Sequence, residues 1–70
     1  MSDSLGEALP KEQARVRALI VMYNAPELGG SGRFATMMME QSLQAADKAI
    51  MSGDVVEMIR CYEDLKGYHE

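Results

Sequence analysis

Seventy residues, 47% of them apolar and 26% charged, describe one small globular domain rather than a disordered chain or a multidomain protein. The net charge of −4 is unevenly placed, with four acids and four bases in residues 1–33 against seven acids and three bases in residues 34–70. The acidic second half repels a phosphate backbone, so nucleic acid is disfavoured as a partner.

The N-terminal stretch, Met1 to Glu7, holds two acids and no apolar run, which is not the pattern of a secretion leader. Residues 1–8 are expected to form a disordered tail ahead of a single helical domain over 9–70. The first predicted helix spans about 10–24. Pro10 suits a first helical position, where its missing N–H would be unpaired anyway. Val16, Leu19, Ile20 and Tyr23 then fall on one apolar stripe. Asn24 and Pro26 close the helix, because a proline turns its predecessor away from helical angles. Ala25 to Gly32, with three glycines and a proline, is the one substantial loop.

A second helix is predicted over 33–52, with Ser31 as its cap and Ala35, Met39, Leu43, Ala46 and Ile50 along one face. Ala45, Ala46 and Ala49 would let another helix approach closely. Gly53 ends it by taking a left-handed conformation. Asp54 caps a third helix at once, with Glu57 three residues on, which predicts a capping box. That helix covers about 55–66, with Val55, Met58, Ile59, Tyr62 and Leu65 as its apolar face, Arg60 opposite Asp64, and Gly67 as its stop. Helices two and three should form a tight antiparallel hairpin. No segment alternates with period two, so the fold is all-α, a compact three-helix domain.

Cys61 is the only cysteine and His69 the only histidine, so neither an intramolecular disulfide nor a zinc site built on cysteine can form. A lone cysteine also fits a reducing compartment, and the longest apolar stretch, Ala18 to Tyr23, is far too short to span a membrane. A cytoplasmic protein is expected. A domain this small is marginal on its own core, so self-association is expected to stabilise it.

Gly29, Gly30 and Gly32 with Arg33 suggest a phosphate cradle, but neither G-x-x-x-x-G-K-[ST] nor G-x-G-x-x-G is present and no strand precedes the loop. His69 lies in a terminus expected to fray, where a general base cannot be held in place. No catalytic residue, metal site, cofactor or small-molecule ligand is predicted, and the chain is read as no enzyme. Lys11, Arg15, Arg17 and Arg33 form the one basic cluster. It carries the alternative reading, a small nucleic-acid-associated regulator using the basic face of the first helix, although no aromatic residue is interleaved for base stacking.

Methionine is the informative excess. Met37, Met38 and Met39 are consecutive, and three residues in a row cover about 200° of a helix circumference. One core-facing stripe does not bury all three. At least one, with Phe34 a turn away, should reach a second surface, where methionine makes an adaptable contact. Phe34, Met37, Met38 and Met22 are therefore the predicted partner-binding residues, with a second copy or another protein as the partner.

A-R-V-R-A-L-I-V-M-Y from Ala14, G-R-F-A-T-M-M from Gly32, and A-D-K-A-I-M-S-G-D-V-V-E-M-I-R-C-Y-E-D-L from Ala46 resemble short proteins encoded in proteobacterial phages and prophages. The resemblance runs from Leu9 to Leu65 and implies a genomic context without an activity. The final hairpin, with Ala46, Ala49, Gly53-Asp54, Tyr62 and Leu65, is similar to half of a tetratricopeptide-type array, a generic likeness of helix-pair packing. Taken together, these residues predict a non-enzymatic helical interaction module that self-associates or binds a larger host or phage protein.

Overall fold

Helix α1 begins at Leu5 and runs to Tyr23, so residues 5–8 are helical and not part of a tail. Pro10 lies inside this helix and not at its start. An interior proline removes one hydrogen bond and crowds the preceding turn. The helix persists through it because Leu9 is fully buried and Leu5 and Ala8 are half-buried. Burying one leucine is worth about 1.5–3 kcal/mol, comparable to the proline's cost. The first turn is anchored on Ser4, whose carbonyl accepts from the amides of Glu7 and Ala8 at 3.0 and 2.8 Å. The computed structural model describes residues 4–24 and 32–69. Met1–Asp3 of the expected tail, the proposed cap Ser31 and most of the glycine-rich loop lie outside them.

Helix α2 spans Arg33–Ser52 and α3 spans Val55–Lys66, as the periodicity predicts. The link between them is made locally. Gly53 takes φ 70°, and its amide donates to the Ile50 carbonyl while that of Asp54 reaches back to Ala49, both at 3.2 Å. These two bonds are the paired closure by which a left-handed glycine satisfies a helix's last carbonyls. Asp54 then caps α3, its Oδ1 accepting from the Glu57 amide at 3.2 Å. The reciprocal half of the capping box is absent. The Glu57 carboxylate pairs with Arg60 at 3.3 Å, and this i,i+3 contact replaces the expected Arg60–Asp64 pair.

All three helices touch one another, and the described residues contain no strand. The core is Leu9, Val16 and Leu19 from α1, Met39, Leu43, Ala46 and Ala49 from α2, and Cys61 and Leu65 from α3. Ala46 and Ala49 are the small residues that admit a neighbouring helix, whereas Ala45 faces out. On α3 the buried stripe differs from the predicted one. Val55 is 59% and Ile59 50% exposed, and Cys61 takes the inner position between Met58 and Leu65. Ile50, expected on the inner face of α2, is also exposed.

Polar contacts tie the helices together. Gln13, buried on α1, donates from Nε2 to Asp47 Oδ1 of α2 at 2.8 Å. Arg15 reaches the last turn of α3 and Tyr68, two residues past its end, donating to the carbonyls of Leu65 and Tyr68 at 2.7 Å each. Tyr68 shares a 3.0 Å hydrogen bond with Ser42, and Tyr23 donates to the His69 carbonyl at 3.1 Å. Residues 67–69 are therefore held, contrary to the expectation of fraying.

Candidate docking surface

A helix advances about 100° per residue, so one buried position determines what its neighbours face. Met39 is 2% exposed, and that inward setting turns Met37 and Met38 outward. Both are exposed, as is Phe34, one turn earlier and 73% accessible. On a helical projection Phe34, Met37 and Met38 fall within an arc of about 100°. They form one apolar strip on the outer face of the first half of α2. Met22 is exposed in the last turn of α1, beside Val21, which the sequence reading did not single out.

Gly32 brings these two helix ends together. A Cβ on this residue would run into the backbone carbonyl of Tyr23, so only glycine allows the close passage. Met22 thus sits at the same end of the bundle as Phe34. The structure places the four predicted residues at one end and leaves each of them accessible.

The outer face of α2 changes character past its midpoint. Ala45, Lys48, Ala49 and Ser52, with Glu57 of α3 at the far rim, line an open groove of about 300 Å³. Short side chains on α2 make the hollow. Among the described residues no three His, Cys, Asp or Glu side chains come together as metal ligands. Cys61 is buried and free. Loss of solvent pushes its thiol above the usual cysteine range, and the charges of Glu57 and Asp64 push it the same way. A protonated, enclosed thiol is a poor nucleophile.

A second apolar surface lies at the opposite end, around the α2–α3 turn: Ile50, Met51, Val55, Val56 and Ile59. The sequence reading missed it by counting Val55, Ile59 and Ile50 as core. A signal was present. The apolar residues of α3 between Val55 and Tyr62 wrap more than half of that helix, so one flank had to be exposed, the same argument that singled out the methionines.

The basic cluster on α1 is reduced by the fold. Arg15 spends its guanidinium on Glu12, at 3.1 Å, and on the two α3-end carbonyls. Among the described helices none is long and apolar enough to cross a membrane. No family model, no characterised protein and no solved structure matches the chain.

Proposed function

We infer that the chain is a non-enzymatic interaction module that works by docking the outer face of α2 against another protein surface, a second copy or a larger protein. The supporting observation is the accessible strip of Phe34, Met37 and Met38, with Met22 at the same end of the bundle. Large apolar side chains grouped on a small domain's surface mark association sites, and methionine's flexible thioether adapts to the surface it meets. No buried side-chain nitrogen or oxygen among the described residues lacks a partner, so the interior holds no polar group waiting for a ligand.

Met38→Glu tests this reading. The residue is exposed, so helicity should survive while association, measured by sedimentation and by capture of bound protein, is lost. Unchanged association in a folded Met38→Glu chain removes the surface from consideration.

A further inference from the structure

The fold sorts the sulfur atoms of the chain. Met39 is 2% and Cys61 7% exposed, both inside the core, and Met58 packs against it partly buried. Met22, Met37, Met38 and Met51 are exposed. The thiol, ordinarily the first sulfur to meet an oxidant, is shielded, so among the described residues the sulfur open to solvent is thioether.

Two of these thioethers bracket an aromatic ring. Phe34 precedes Met37 by three residues and Met38 by four, the spacings at which side chains on one helix are neighbours. On a helical projection Phe34 lies between them, about 60° from Met37 and 40° from Met38. Three consecutive methionines thus divide into an open pair at the centre of the docking strip and one shielded member in the core. That division separates surface chemistry from stability. An oxygen added to Met39 would enter the core and disrupt its packing, whereas one added to Met37 or Met38 leaves the contacts of Met39, Leu43 and Ala46 in place.

We propose that Met37 and Met38 are a peroxide-responsive modification site that turns the docking strip from apolar to polar while the fold stays intact. Each thioether sulfur attacks one peroxide oxygen. The O–O bond breaks and an S–O bond forms, and the second oxygen takes the proton left on the first and departs as water. The sulfur loses the two electrons that the peroxide gains. The sulfoxide is a hydrogen-bond acceptor beside Phe34, where an apolar partner surface would have to lie. The reverse step takes two electrons from a dithiol, which becomes a disulfide, and releases the oxygen as water. This inference rests on the docking surface described above and names its regulation.

The test treats the folded full chain with hydrogen peroxide and follows each methionine by tandem mass spectrometry, with helicity by circular dichroism and retention on a phenyl matrix. All chains carry Met51→Leu, because Met51 is 87% exposed and would report on the opposite end of the bundle. Met37 and Met38 should oxidise at least about ten times faster than Met39, with helicity kept and retention reduced. A Met37→Leu, Met38→Leu chain, whose strip stays apolar without thioethers, should show less than half of that reduction. Met39 oxidising alongside its neighbours, loss of helicity once the pair is oxidised, or equal reductions in the two chains overturns the proposal. None of these readouts needs a bound partner, so they judge the site separately from the association lost in Met38→Glu. Association that survives sulfoxides at both positions overturns the regulation and leaves the docking surface standing.

Discussion

Arg15 holds the end of α3 through Tyr68: its Nη1 donates to the Tyr68 carbonyl and its Nη2 to that of Leu65, each at 2.7 Å. The Leu65 carbonyl lies in the last turn of α3, where C=O groups lack α-helical partners and carry partial negative charge, and the Tyr68 carbonyl lies two residues past the helix end. A guanidinium there satisfies two acceptors and complements the helix dipole. Glu12 holds it in place from the preceding turn of α1.

Arg15→Met should lower stability by about 1–2 kcal/mol, the range for charged hydrogen bonds at a partly exposed site. Arg15→Lys should recover only part, because an ammonium lacks the planar fork that spans both carbonyls. Urea denaturation reads both values. A loss in Arg15→Met no greater than in Arg17→Met, an exposed neighbour, would mean that the contact holds nothing.

The two apolar faces of α3 should respond differently to truncation. Leu65 is fully buried, so Leu65→Ala should cost about 2–5 kcal/mol. Ile59 is half exposed, so Ile59→Ala should stay within about 1 kcal/mol. Equal costs in thermal denaturation would return Ile59 to the core.

Two glycines are required for different reasons, and substitution separates them. A Cβ on Gly53 meets nothing within 4 Å, but φ is 70°, so Gly53→Ala should cost about 1–2 kcal/mol in backbone strain. Gly53→Asn should recover much of it, since asparagine tolerates that conformation. Gly32 has φ −89°, and its limit is the Tyr23 carbonyl. Any side chain there forces α1 and α2 apart, at about 1–3 kcal/mol, and asparagine brings no relief. Melting temperatures of the four variants check the pattern.

Cys61 predicts a pH dependence. Burial first, then Glu57 and Asp64, raise its thiol above the usual range, so the folded chain holds this proton more tightly than the unfolded one. Its contribution to stability is complete below the ordinary thiol pKa and is lost as pH rises through the higher folded value. Wild type should lose more stability than Cys61→Ala between neutral pH and pH above the thiol range, measured by urea denaturation. Native Cys61 should also alkylate more slowly than the denatured chain at mildly alkaline pH. Identical pH profiles for the two chains would contradict this.

Much of the architecture is local and is readable in the residues themselves. The spans of α2 and α3, the left-handed Gly53 and the Asp54 cap depend on neighbours within a turn or so. The outward setting of Met37 and Met38 follows from helix geometry once Met39 faces in. Partner packing decided the rest. Leu9 finds a buried seat, which carries α1 back through Pro10 to Leu5. On α3, where apolar residues wrap more than half the circumference, the position of α1 and α2 selected Cys61 and Leu65 and left Val55 and Ile59 outside. Arg15 looks like a free surface charge in one dimension and becomes a tie only when the C-terminal end of α3 arrives, 50 and 53 residues further along the chain. The division follows range: bonds and torsions within a helical turn are written in sequence spacing, whereas the choice of buried flank depends on free energies that exist only once all three helices are packed.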